Sequence, residues 1–211
     1  MAKEVVFILD RSGSMQGLEA DTIGGFNGLI EQQKALRGKV YVTTVLFDDA
    51  YETLDDYTPL DAIEPLDHSQ YYVRGTTALL DAVGKTITRV AGRERGQKRR
   101  NNVLVVIMTD GLENASQEYS YPAVKSLIDT YQRELGWEFL FLGANIDAVK
   151  AGRNMGIRPD RSAHFHADRD GVKTNFRGVN RAVHEFRSEA SMSHAWREDI
   201  DADYRSRKKK K

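Results

Sequence analysis

Apolar residues recur along the chain with two different periods, and the alternation of those periods sets out a fold. The first run, Lys3-Glu4-Val5-Val6-Phe7-Ile8-Leu9, is continuous and short and reads as a buried strand. It stops at Asp10-Arg11-Ser12-Gly13-Ser14. A helical pattern then extends from Leu18 to Leu36 through Ile23, Phe26, Leu29 and Ile30. Gly24, Gly25 and Gly28 oppose that helix by about 1 kcal/mol each, unless they serve close packing on the sheet. Val40 to Phe47 reads as a central strand. Asp48-Asp49 turns the chain, and Tyr51 to Tyr57 reads as a short antiparallel edge strand. Its Glu52, Asp55 and Asp56 suit an exposed edge that must resist pairing with another chain.

The second half repeats the alternation. Ala78, Leu79, Ala82, Val83, Ile87 and Val90 make a helix face. Val103 to Thr109 is the most apolar run and reads as a central parallel strand, ending in Asp110-Gly111. Val124, Leu127, Ile128, Tyr131 and Leu135 line another helix. Trp137 to Leu142 is a strand closed by Gly143-Ala144-Asn145, followed by a short helix to Met155 capped by Gly156. Ala163 to His166 forms a last strand. Asp170 is placed to N-cap a final helix with the face Val172, Phe176, Val179, Val183 and Phe186. The pattern predicts an α/β fold: a doubly wound, mostly parallel six-stranded sheet with one antiparallel edge strand and helices on both faces. Residues 1–190 form one domain without an internal repeat. Periodicity fades from Met192, so 191–211 is expected as a charged C-terminal tail, partly disordered, ending in the basic run Lys208 to Lys211.

Length and composition narrow the function classes. A chain of 211 residues holds one domain with a sizeable core. Its zero net charge argues against whole-molecule attraction to nucleic acid or an anionic membrane. The absence of cysteine excludes disulfides, zinc–thiolate sites and cysteine nucleophiles, and suits a reducing cytoplasm. No apolar stretch is long enough to cross a bilayer, and the first run is too soon interrupted by Asp10 to be a signal peptide. A cytoplasmic location is therefore expected. Charge is uneven along the chain. Asp48 to Asp67 has eight acidic residues and no Lys or Arg, whereas Gly92 to Asn101 has five basic residues against Glu94. Both segments are expected as solvated loops.

The chemistry concentrates in three places. Asp10, Ser12 and Ser14 put a carboxylate and two hydroxyls at alternating positions where a strand opens into a loop. These are hard oxygen donors of the kind magnesium, manganese or calcium prefers. Thr77 stands at the start of a helix, and Asp110 follows the most apolar strand. In a doubly wound sheet the first and fourth strands are neighbours, so Asp10 and Asp110 would emerge side by side where such sheets bind ligands. Two carboxylates balance a dication, while hydroxyls donate little. The ion can then accept one more oxygen, for which an acidic side chain of a partner is the obvious source.

The segments Asp10-x-Ser12-x-Ser14, Gly75-Thr76-Thr77-Ala78-Leu79-Leu80-Asp81-Ala82 and Met108-Thr109-Asp110-Gly111 together resemble the von Willebrand factor type A domain and its metal-ion-dependent adhesion site. Order and approximate spacing hold from Lys3 to about Phe186. The resemblance implies a Rossmann-like sheet with one antiparallel edge strand. It implies that Ser12 and Ser14 ligate the metal directly, Thr77 when a ligand is bound, and Asp10 and Asp110 directly or through water. The family threonine precedes a small residue and then leucine, which favours Thr77, with Thr76 open as the alternative. The compact form also resembles bacterial and phage stand-alone members, including those of tellurite-resistance-type systems. In relatives the last helix can shift when the metal gains a ligand. The function so implied is a protein-binding module in which Mg2+ (or Mn2+ or Ca2+) takes an Asp or Glu of a protein partner.

Each of these features also has a plainer reading. Asp10 alone can satisfy backbone donors at a turn, Ser12 or Ser14 can cap a helix, and Asp110-Gly111 is an ordinary turn dipeptide. Their conjunction in order is what carries the reading. A phosphoester-processing enzyme would need a base, for which His68 precedes Thr77, but no catalytic constellation is recognised. Gly84-Lys85-Thr86 lacks the earlier glycine of a phosphate-binding loop, since Leu79 stands there. A nucleic-acid-associated protein would use the basic 92–101 loop and the terminal lysines, yet no aromatic platform accompanies them. His164 and His166 share a strand face near Asp168 but lack a third ligand, so they read as a surface edge. Glu113 and Asn114 flank the site, either contacting a ligand or simply solvated.

Overall fold

The structure, a computed structural model, describes residues 2–94, 102–188 and 192–208. One sheet contains β1 (Lys3–Asp10), β2 (Val40–Phe47), β3 (Tyr51–Pro59), β4 (Asn102–Thr109), β5 (Glu138–Ala144) and β6 (Ser162–Phe165). Their order is β3-β2-β1-β4-β5-β6; β3 runs antiparallel to β2 and all other pairs are parallel. The helices are α1 (Glu19–Lys34), α2 (Leu79–Glu94), α3 (Tyr121–Leu135), α4 (Ala148–Asn154), α5 (Arg169–Arg187) and α6 (Glu198–Lys208). Alternate strand residues feed two cores. Val5, Phe7 and Leu9 pack with apolar residues of α1, α5 and α6, whereas Val6 and Ile8 pack with those of α2, α3 and α4. Burial on both faces is why the central strands read as continuous apolar runs.

The doubly wound sheet is as expected. The chain leaves β1 toward β2 and later returns to lay β4 on the other side of β1. That reversal is the switch point at which the carboxyl ends of two adjacent strands splay their loops apart. Leu9 lies opposite Met108, so Asp10 and Asp110 leave the sheet at nearly the same height.

Several local expectations are corrected. Asp168, not Asp170, caps α5: its side chain accepts the Gly171 N–H at 2.9 Å, because the helix begins at Arg169 and takes Asp170 into its first turn. Of the α1 glycines, only Gly25 serves close packing, and it does so against α5 rather than the sheet. A Cβ there would stand 2.2 Å from the Phe176 ring, while Gly24 and Gly28 face open space. The acidic segment is not uniformly solvated, since Asp48 is fully buried. Arg93 turns back to the sheet, pairing with the buried Glu4 at 2.5 Å and with Asp56 of β3 at 2.8 Å. The rest of the basic segment, 95–101, and the last lysines, 209–211, lie outside the described residues.

Within the segment expected as a charged, partly disordered tail, residues 192–208 carry regular structure. A short turn at Ala195–Arg197 and α6 seat Trp196 and Ile200 against Gly178 of α5, where a Cβ would stand 2.5 Å from Ile200. Tyr204 continues the stripe and stacks on His164 and His166. Three apolar residues four apart among charges bury one narrow stripe, too thin for periodicity to register. No helix among the described residues is long and apolar enough to cross a membrane.

Candidate metal centre

The five residues singled out in the sequence come together at the switch point. β1 ends at Asp10, and the next residues turn tightly through Gly13–Met15. The Ser12 N–H donates to Asp10 Oδ1 at 2.7 Å, and the Thr109 hydroxyl donates to Oδ2 at 2.5 Å. Ser12 Oγ accepts from the Thr77 hydroxyl at 2.9 Å and lies 3.1 Å from Ser14 Oγ. Thr76 is exposed, so Thr77 is the threonine that turns inward. Asp110 lies close enough to Asp10 and Ser14 to influence or feel their charge and hydrogen bonding. Both Asp110 carboxylate oxygens are buried without a hydrogen-bond partner. Gly111 leaves the space this requires. A Cβ there would stand 2.8 Å from Thr77 Oγ1 and 2.9 Å from Ser14 Oγ, crowding both hydroxyls.

A second set of contacts positions the three loops. Gly13 N–H donates to Gly75 O at 3.1 Å, Arg74 N–H to Arg11 O at 3.0 Å and Ala78 N–H to Asp48 O at 2.8 Å. Gly75 has φ +66°, and a Cβ would meet Asp49 Oδ1 at 1.9 Å, so this close approach needs glycine. Beneath it, the fully buried Arg11 donates to Asp48 at 2.9 Å and to Gln70 O at 3.0 Å, and pairs with Glu52 at 2.7 Å. Arg74 reaches the same Asp48 oxygen at 2.7 Å. Burial alone would push the Asp48 carboxyl up; hydrogen bonds from Arg74, Ala50 N–H and Arg11 outweigh it and hold the group below its ordinary range.

Asn114 is exposed and Glu113 half-buried, yet both are tied by hydrogen bonds to the segment that carries Thr77 and opens α2. Asn114 Oδ1 accepts the Thr77 N–H at 2.9 Å while its own N–H donates to Thr77 O at 3.1 Å. Glu113 accepts the Leu80 N–H at 2.8 Å, satisfying a donor at the start of α2. Asp81 accepts the N–H groups of Gln117, Glu118 and Tyr119. The loop after β4 is thus laced to α2, which sets the height of Thr77. Sequence reasoning did not assign these roles, nor that of Thr109, although Thr109 lies within a motif it used. The Thr109 signal is register: a hydroxyl one residue before Asp110 falls beside Asp10 when β1 and β4 pair. Thr109→Val is expected to weaken dication binding about 10- to 100-fold, as removal of a partner that orients a ligand does. Calorimetric titration with Mn2+ checks it.

Electrostatically the centre holds two buried carboxylates with no cation paired directly to either. Burial pushes Asp10 up to about 6 against the hydrogen bonds from Thr109 and Ser12, and nearby Asp110 adds to the rise. Burial raises Asp110 as well. A carboxyl raised by folding favours the fold when protonated. In metal-free protein its contribution therefore declines as pH climbs from about 4 to about 6, by on the order of 3 kcal/mol. Denaturant midpoints of wild type and Asp10→Asn across that window, in chelator, are expected to diverge accordingly, and a dication is expected to abolish the decline.

Among the described residues no three His, Cys, Asp or Glu side chains converge as metal ligands. The donor set here is two carboxylates and three hydroxyls, all hard oxygens and suited to a small dication. The histidine pair behaves as a strand edge. His164 Nε2 accepts the Ala148 N–H at 3.1 Å, and His166 Nε2 lies 3.2 Å from Tyr204 O.

Sheet order and oxygen cluster define an open α/β protein with its site at the switch point between two central strands. A family model described as the von Willebrand factor type A domain matches residues 4–177, and the chain belongs to that family. No curated protein matches the sequence. Similar solved structures include the PilB minor pilin of Streptococcus sanguinis, 10% identical with TM-score 0.61, covering 90% of this chain and 64% of that one. Proximal thread matrix protein 1 of the mussel byssus, with a zinc-occupied MIDAS motif, is 16% identical with TM-score 0.56, covering 84% and 44%. Manganese-loaded TRAP of Plasmodium vivax is 19% identical with TM-score 0.55, covering 81% and 70%. The chain thus spans less than half the length of the mussel protein.

Proposed function

We propose that this protein is a divalent-metal-dependent protein-binding module. Asp10, Ser12, Ser14, Thr77 and Asp110 would hold Mg2+, with Mn2+ or Ca2+ as substitutes, and the ion would take a carboxylate from a protein partner. The observation that carries the reading is Asp110, whose two buried oxygens have no hydrogen-bond partner and lie beside the Ser14 hydroxyl. A buried ionised carboxylate without compensation is costly, and a dication supplies that compensation. The Gly111 gap supports it, because a side chain there would occupy the space among the hydroxyls. Family membership and the zinc- and manganese-bearing neighbours support the same chemistry.

Ser12, Ser14 and Thr77 are neutral donors, so an ion among them keeps appetite for a further anionic oxygen. Ser14 is exposed while Asp10, Ser12, Thr77 and Asp110 are buried, which leaves one open side for an incoming ligand. Calorimetric titration with Mg2+ and Mn2+, followed by binding of carboxylate-bearing peptides with and without chelator, tests the proposal. Peptide affinity that is unchanged in excess chelator defeats it.

A further inference from the structure

Among the described residues only two large hydrophobic side chains are substantially exposed, Leu112 at 66% and Tyr72 at 43%. Both belong to the loops that build the centre. Leu112 follows Gly111, whose backbone borders the Thr77 and Ser14 hydroxyls. Tyr72 precedes Arg74 and Gly75, which hydrogen-bond to Arg11 and Gly13 of the loop after β1. Strand order puts them on opposite sides. The Leu112 loop leaves β4, whereas the Tyr72 segment is tied through Arg74 to Asp48 at the end of β2, and β1 lies between.

Tyr72 is also held in place. Its hydroxyl accepts from Arg74 Nη1 at 3.1 Å, and the Arg11 and Arg74 guanidinium carbons each lie 5.3 Å from its ring centroid. Those two cations are balanced by Asp48 and Glu52, so the ring sits on a fixed, locally neutral platform. A pre-ordered aromatic surface loses little entropy when covered. Isolated exposed apolar residues are ordinary; what sets these two apart is that both border the same polar centre.

We infer that the partner segment is an acidic residue flanked by apolar side chains, one covering Leu112 and the other Tyr72, with the carboxylate directed between them. This rests on the metal-dependent reading above and names the chemistry of the partner that fits it. Metal coordination is indifferent to what surrounds the carboxylate, so selection among acidic segments falls to these two surfaces. Burying an aliphatic side chain on each gives a discrimination of tenfold or more against glycine at the same positions.

Fluorescence anisotropy with three labelled peptides tests it: Asp between leucines, Asp between glycines, and Asn between leucines, each with Mn2+ and with chelator. The leucine-flanked Asp peptide is expected to bind about tenfold or more tighter than the glycine-flanked one, and only with metal. Leu112→Ser and Tyr72→Ala are each expected to erode that advantage while leaving Mn2+ affinity, read by calorimetry, unchanged. Equal metal-dependent affinity for the two Asp peptides overturns the inference and leaves the metal reading standing. Mn2+ binding without metal-dependent capture of either Asp peptide, or no Mn2+ binding, overturns both.

Discussion

Asp110→Ala is expected to weaken Mn2+ binding at least about hundredfold while leaving the fold intact. The loss should exceed the 10- to 100-fold typical of residues that merely orient a ligand, because a charged donor disappears. The fold should not suffer, because neither Asp110 oxygen makes a hydrogen bond that folding depends on. Deleting an uncompensated buried carboxyl removes a desolvation cost, so the metal-free variant should melt no lower than metal-free wild type. The contrast with Asp10→Ala is diagnostic. Asp10 accepts from Ser12 N–H and the Thr109 hydroxyl; its removal orphans the Ser12 N–H, at about 1–3 kcal/mol for a buried donor, and leaves the Thr109 hydroxyl only Gly111 O at 3.2 Å. Thermal melts with and without Mn2+, alongside calorimetry, separate the two variants. Asp110→Ala binding Mn2+ as tightly as wild type would remove Asp110 from the ligand set.

The second large effect belongs to a residue that touches no candidate ligand. Asp48→Ala is expected to destabilise the protein by about 3–5 kcal/mol, the usual result of stripping one partner from a buried ion pair. Arg11 would keep the Gln70 carbonyl, the half-exposed Glu52 and the face of the Tyr72 ring, while its own side chain stays fully buried. For a domain of this size that corresponds to a melting shift of roughly 10 °C. Arg74→Met removes the more exposed partner of the same carboxylate and should cost less than about 1 kcal/mol. Because folding lowers the Asp48 carboxyl below its ordinary value, the pair contributes above about pH 4 and loses that contribution as pH falls further. Denaturation midpoints of Asp48→Ala and wild type should therefore converge in acid. Equal midpoints at neutral pH would show that the three loops are held by their backbone contacts alone.

These two variants probe different layers of one arrangement. Asp110 belongs to the oxygen cluster itself, while Arg11 and Asp48 tie the loop after β1 to the segment carrying Thr77. A change in metal affinity for Asp48→Ala, measured below its melting transition, would report how far the placement of Thr77 depends on that tie.

The order of strands and helices through α5 was legible without a structure. Buried parallel strands must be apolar on both faces, and an amphipathic helix must repeat near every fourth residue, so both leave local signatures. The switch point followed from that order, and Asp10, Ser12, Ser14, Thr77 and Asp110 followed from the loops it brings together. What the linear pattern did not contain were pairings between distant residues. Whether Thr76 or Thr77 turns toward Ser12 depends on the height at which Asn114 clasps that segment. Arg11 and Asp48 are polar and look solvated, yet each is buried because the other stands across the sheet top. The stripe of Trp196, Ile200 and Tyr204 is too narrow to show a period, and its meaning comes from the missing side chain at Gly178 and the imidazoles of β6 and its end. Periodicity is a property of neighbours along the chain. Burial, charge compensation and the unpartnered oxygens of Asp110 are properties of neighbours in space, and only the folded molecule decides who those are.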